Sequence, residues 1–351
     1  MSKKFLVIDS RPYGLFSIFL HTIDNIKWAE DNGYIPVVRW GPGRRDPGLG
    51  RAGSKEAHEK KDPSYITDIT NFVTDQTPSS WGNTPGMKHC QCLYWSEEGW
   101  NDSKNPWEYY FEPLNNYTVE HALSSDHDVS DIFLSGKIEW DDTIKDRHEN
   151  KFLIANLHTY EPLKLWELMG TDYEDFHRRE VYKVIKKHVQ IKPSIKEKIN
   201  NFYNSNFTKN TKTLAVHVRG TDKKLEYPHK ALPLQSYLDA ISDAIEKDKE
   251  IGNLYVASDN NEAIREIINN FKDKVKKIII YPAVRMPKYF SKDPICLTSA
   301  TGPEHGEQVL IEANLLSYSD YFICTDSNVA AAAIFLNPVM KVHFLNRKYG
   351  L

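Results

Sequence analysis

Three short stretches carry residue types that can bind a ligand, two suited to an anion and one to N–H donors. In the first, the apolar run Leu214-Ala215-Val216 continues into His217, Val218, Arg219, Gly220, Thr221, Asp222 and Lys223. The run reads as a buried strand, and ligands of open α/β sheets bind beyond the carboxyl ends of strands. Arg219 at such a place can grip a pyrophosphate through its planar fork, and Lys223 can add a point charge. A surface loop with an Arg–Asp pair would use the same residue types without a ligand.

In the second stretch, Ile323-Cys324-Thr325-Asp326-Ser327-Asn328 reads as strand, polar turn and helix start. The N–H groups at a helix start lack intrahelical acceptors and attract anions. Thr325, Ser327 and Asn328 add side chains to them. Asp326 or Ser327 serving only as a helix cap is the competing reading. In the third, Glu312 interrupts an apolar helical run from 309 to 316. A carboxylate accepts two N–H groups, and guanine presents such a pair on its Watson–Crick edge. An exposed face of an amphipathic helix would explain the same residue.

Other patterns carry less. Asp126-His127-Asp128 matches the D-x-D of metal-dependent sugar transferases, but no strand precedes it. His89, Cys90 and Cys92 lack the second ligand pair of a zinc site. Cys296 and Cys324 sit in apolar segments and read as buried thiols. The G-x-x-x-x-G-K-[ST] phosphate loop and the G-x-S-x-G elbow are missing. No metal site is expected.

The elements that must position these residues alternate. A strand at 4–9, a turn through Gly14, a helix from Leu15 closed at Gly33 and a strand at 34–40 form a βα unit. Residues from about 41 to 105 are rich in Gly, Pro, Asp, Ser and Lys and read as a loop-rich insertion. An aromatic cluster follows, with Trp107, Tyr109 and Tyr110. A strand at 151–156 and helices at 172–189 and 194–203 lead to a polar boundary at 204–212. Beyond it, strands at 213–218, 253–257, 275–281, 321–324 and 342–345 alternate with helices opened by Pro233, by an Asp259/Glu262 capping box, and near residues 304 and 327. This is the rhythm of a doubly wound sheet. The expected division is an N-terminal α/β domain over 1–204 and a C-terminal Rossmann-like domain over 205–351.

Composition narrows the function. The 351 residues suggest about two domains. Lys plus Arg total 45 against 48 Asp plus Glu, a net charge of −3. No global cationic excess is present to neutralise a nucleic-acid backbone, so nucleic acid is not an expected partner. No run of ~20 apolar residues is long enough for a membrane span. The N-terminal run Phe5-Leu6-Val7-Ile8 breaks at Asp9, too soon for a signal peptide. A cytoplasmic protein is expected.

The sequence His217-Val218-Arg219-Gly220-Thr221-Asp222-Lys223 resembles the H-V-R-x-T-D-K motif of the α-1,6-fucosyltransferases and their O-fucosyltransferase relatives. Ser258-Asp259 and the stretch 312–329 match further motifs in order. The resemblance covers about residues 213–337. It implies a GT-B-like α/β fold, with two Rossmann-like domains facing across a cleft, and inverting, metal-independent transfer from GDP-fucose to a hydroxyl of a glycan acceptor. Carried over, Arg219 would hold the β-phosphate, His217 would line the donor pocket, and Glu312 would read guanine where the family usually has Asp. Ser327 and Asn328 would touch the diphosphate, with Thr325 and Gly14 on the donor side. Glu226 would be the base, one residue nearer the T-D-K than in the family, with Asp222 second. Arg219 and Lys223 would stabilise the leaving diphosphate. Trp107, Tyr109 and His229 would face the acceptor. Gly220 replaces the second Arg of the H-V-R-R form. The donor could be another nucleotide sugar, or the chain could bind such ligands without catalysis.

Overall fold

A computed structural model of the chain describes residues 5–9, 14–40, 105–118, 131–132, 152–155, 164–220, 232–285 and 302–346. Two parallel sheets organise it. Strands β1 (Phe5–Asp9), β2 (Ile35–Arg39), β3 (Asp131–Ile132) and β4 (Phe152–Ala155) form the first, in the order β2-β1-β4-β3. Strands β5 (Lys212–Val218), β6 (Ile251–Ser258), β7 (Lys277–Ile279), β8 (Tyr321–Cys324) and β9 (Lys341–Phe344) form the second, in the order β7-β6-β5-β8-β9.

Helix α1 (Leu15–Asp31) joins β1 to β2. It ends where Gly33 takes φ +74°, a conformation that costs glycine little. There the Gly33 N–H donates to Glu30 O and the Tyr34 N–H to Ala29 O, a Schellman closure. The expected C-cap role of Gly33 is thus realised.

In the second sheet, β5 is buried on both faces, as a central parallel strand must be. Leu214, Val216 and Val218 meet Tyr237, Ile241 and Ile245 of α6 (Leu234–Lys247) and Ile264, Ile267 and Phe271 of α7 (Asn261–Phe271). Ala215 faces the opposite layer, with α8 (Gly302–Ser317) and α9 (Asn328–Leu336). Period-two alternation puts His217 on that same side.

The interior of α9 is Ala330-Ala331-Ala332-Ala333, all fully buried. These small side chains let α1, α8 and α4 (Glu174–His188) approach the helix. Helix α5 (Pro193–Asn206) lies on α8, burying Ile195 and Ile199. The division expected at 204 separates the two sheets along the chain, yet it falls inside α5, which packs on α8, and α4 before it packs on α9. The run of alanines is therefore helix–helix as well as helix–sheet contact.

One short helical turn, α2 (Trp107–Tyr110), ties the N-terminal half to α8. Its leader Asn105 accepts from the Trp40 N–H at 2.9 Å and donates to Val38 O at 2.5 Å, fastening the turn to the end of β2. The Tyr110 hydroxyl donates to Pro303 O at 3.3 Å, and a Cβ on Gly306 would overlap that hydroxyl. A further turn, α3 (Leu165–Leu168), precedes α4. Gly306→Ala should destabilise the chain by ~1–3 kcal/mol through overpacking against a ring that has no room to move. Urea unfolding monitored by tryptophan fluorescence checks this, and an unchanged midpoint would refute the close approach.

Candidate functional site

In the order β7-β6-β5-β8-β9 the chain fills one side of β5 and then returns to fill the other. The crevice between the carboxyl ends of β5 and β8 is the topological switch point, where open α/β sheets bind ligands. The first two stretches singled out in the sequence end on these two neighbouring strands. They also touch: the Ser327 Oγ lies 3.3 Å from His217 Nδ1, although 110 positions separate the residues.

Ser327 is the N-cap of α9, and its Oγ accepts from the Ala330 N–H at 3.0 Å. Capping and site geometry are therefore one arrangement rather than alternatives. The hydroxyl keeps one hydrogen; giving it to Nδ1 places the proton of a neutral His217 ring on Nε2. His217 is held neutral: burial, and then the charge of Arg219, push its pKa down to about 3. Arg219 follows on the strand end, half-buried. Asn328 is also half-buried, at the first turn of α9.

The capping-box expectation for α7 is corrected. Its N-cap is Asn260, whose side chain accepts from the Ala263 N–H at 2.9 Å. Asp259 instead accepts from the Gly220 N–H at 2.8 Å, which anchors the turn after Arg219. The neighbouring Ser258 hydroxyl donates to Val218 O at 2.8 Å. The end of β6 thus supports the end of β5 with two hydrogen bonds.

Glu312 is buried on α8 rather than displayed on an exposed helix face. It forms an ion pair with Arg285, a residue that sequence reasoning passed over. Arg285 donates from Nε to Ser258 O at 2.8 Å, from Nη1 to Ala283 O at 2.5 Å and from Nη2 to Tyr281 O at 2.7 Å. Burial pushes the Glu312 carboxyl up to about 7, against the pull of Arg285. The missed signal was Arg285 itself, a charge shortly after a strand whose neighbours on the sheet already carried candidates.

Other expectations change. Trp107 is core, not an acceptor surface: it is 1% exposed, its ring lies 4.4 Å from Phe111 and 5.1 Å from Trp40, and its indole N–H donates to Glu112 O. Tyr110 is equally buried. Tyr109 alone of the three is exposed, with its hydroxyl 3.5 Å from Glu307 on α8. Thr325 lies beneath the surface, its hydroxyl 3.2 Å from that of Tyr237. Gly14 stands at the N-cap of α1 in an extended conformation, and a Cβ there would enter open space. Cys324 is a buried thiol, its pKa raised by burial. Asp222, Lys223, Glu226 and His229 lie outside the described residues, as do Asp126-His127-Asp128, His89, Cys90, Cys92 and Cys296. Among the described residues no group of three or more His, Cys, Asp or Glu side chains is placed to hold a metal ion. No described helix is long and apolar enough to cross a membrane.

No family model and no curated protein matches the chain. Solved structures do. The fucosyltransferase NodZ from Bradyrhizobium superposes with a TM-score of 0.50 at 14% identity, covering 95% of this chain and 92% of that one. The GT-B-like α/β fold is confirmed. POFUT1 in complex with GDP-fucose matches with a TM-score of 0.46 at 11% identity over 98% of each chain. A mutant of Arabidopsis thaliana FUT1 in complex with GDP gives 0.47 at 11% identity, over 98% of this chain and 70% of that one.

The buried His217 has a measurable consequence. Below pH 6.5 the unfolded chain protonates this residue, while the folded chain refuses the proton until about pH 3. The unfolded state then binds more protons, so stability is lost as pH falls through that window. His217→Asn should flatten the slope of unfolding free energy against pH between 4 and 6 by about one proton. Denaturant titrations at stepped pH check this; equal slopes would show that His217 is not held neutral.

Proposed function

We propose that the chain is an inverting glycosyltransferase that takes a sugar, fucose by resemblance, from a GDP-sugar to a hydroxyl of a glycan acceptor. The observation that carries this reading is the contact between His217 and Ser327 at the switch point. It joins the H-V-R-x-T-D-K stretch to the start of α9 in one anion-binding corner. The GT-B-like fold supports the reading, and so does the ordered run of three motif segments along the chain.

In this reading the Arg219 fork and the N–H groups at the start of α9 hold the diphosphate, with Ser327 and Asn328 beside them. Lys223 adds charge to the same oxygens. The acceptor oxygen attacks the anomeric carbon and forms the new glycosidic bond. The bond from that carbon to the diphosphate oxygen breaks, and its electron pair leaves with GDP. The acceptor proton passes to Glu226 or, second, to Asp222. The charge growing on the leaving diphosphate is met by Arg219, Lys223 and α9, so no metal ion is needed for that task. Tyr109, on the exposed side of α2, is the aromatic residue retained for the acceptor, with His229. The two halves of the chain divide at about residue 204, the C-terminal one holding the donor. The reaction belongs to the making of a surface polysaccharide or glycoconjugate from the cytoplasmic side.

Isothermal titration with GDP, UDP and ADP should show tightest binding to GDP, and Arg219→Ala should weaken it at least about tenfold through loss of a charge-assisted bidentate contact. Equal affinities for the three nucleotides would remove the guanine assignment. A hydrolysis screen over GDP-, UDP- and dTDP-sugars should find GDP-fucose turned over, with loss of turnover in Glu226→Gln or Asp222→Asn. A protein that binds GDP without turning over any donor, and ignores both carboxylates, would be a non-catalytic nucleotide-sugar binder instead.

A further inference from the structure

We infer that Arg285 is the positioning residue for base recognition: it holds the Glu312 carboxylate beside the carboxyl end of β6, in one orientation, ready for a purine that offers adjacent ring N–H and amino donors. The inference rests on the reading of Glu312 as the guanine contact and extends it to a residue outside every motif of the sequence.

Geometry supports it first. The planar guanidinium is fixed by three backbone carbonyls, of Ser258, Tyr281 and Ala283, before it meets Glu312. The segment carrying it is itself fastened to α8: the Val284 N–H donates to Gln308 Oε1 at 2.8 Å, one helical turn before Glu312. Arg285 and Glu312 therefore move as a unit. The Arg285 side chain is 4% exposed and that of Glu312 is 11%, so the pair is buried and Glu312 is its more accessible member.

Energetics agree. A buried ion pair recovers little stability over an apolar pair of the same volume, because both charges lose their water. Fixing an acceptor is a better account of its presence. Without Arg285, burial and the nearby negative Asp259 both favour the protonated acid, and a protonated acid has only part of its acceptor capacity. Arg285 is also coupled to the phosphate corner. Ser258, whose carbonyl it grips, donates its hydroxyl to Val218, the residue before Arg219. The spacing between base contact and diphosphate contact is thus set by one short covalent and hydrogen-bonded path.

GDP and IDP test this, because hypoxanthine keeps the ring N–H but lacks the amino group. Titration of the full chain should give a GDP preference of about tenfold, the worth of one bidentate pairing. Glu312→Gln should bring the ratio near one. Arg285→Lys keeps the charge but loses the planar fork; it should lower the ratio at least about threefold while IDP affinity stays close to wild type. A lysine variant with the wild-type ratio would overturn the role of Arg285 and leave the guanine reading standing. A wild-type ratio of one, or a Glu312→Gln variant without effect, would instead refute the guanine reading itself. Should the lysine variant fail to fold, a crystal structure of the wild-type GDP complex decides. Guanine on Glu312 with the Arg285 pair intact supports the inference, and guanine on Glu312 with Arg285 turned away refutes it.

Discussion

Burial of helix α9 on every side is the constraint on which the rest depends. Its four consecutive alanines have no surface exposure, and α1, α4 and α8 converge on it. Larger side chains would hold those helices apart, since protein interiors tolerate little extra volume. A helix so enclosed cannot shift along its axis. Its first turn, with Ser327 as cap, is therefore fixed over the end of β5. The corner where Ser327 meets His217 takes its position from a stripe of buried methyl groups.

The same rigidity permits unusual charge placement. A near-neutral chain gives no hint of an electrostatic site, yet the carboxyl ends of β5, β6 and β8 gather His217, Arg219, Asp259, Arg285 and Glu312. Each buried group has a specific restraint. Asp259 holds the Gly220 N–H, Arg285 is gripped by carbonyls, and His217 shares Ser327 with the helix start. Orientation by hydrogen bonds, rather than net charge, is what this end of the sheet supplies.

Much of this was legible in the sequence. Strand–helix alternation located nearly every element from β5 onward, because apolar periodicity and helix stops are local signals. Gly33 and Ser327 acted as sequence reasoning expects, since a left-handed turn and a helix cap each depend on one residue and its near neighbours. The failures were all non-local. Asp259 looks like a cap along the chain, but Gly220 claims it across the sheet. Trp107 looks like a sugar platform, but Trp40 and Phe111 enclose it. Arg285 stands in no motif, and only the pairing of β6 with β7 and the course of α8 bring it to Glu312. Periodicity reports which face a residue occupies, not what another segment brings to that face.

The state of His217 also divides labour within the proposed site. A histidine near an acceptor hydroxyl would ordinarily be the first choice for a general base, since its free pKa lies close to neutrality. Here burial and Arg219 hold it at about 3, too weak to carry a proton away at neutral pH. Protonating it would also place a second cation beside Arg219 in a buried corner. With the ring proton on Nε2, His217 can donate one hydrogen bond to an anionic ligand without changing its charge. In the proposed reaction proton removal is accordingly assigned to Glu226 or Asp222 and not to His217.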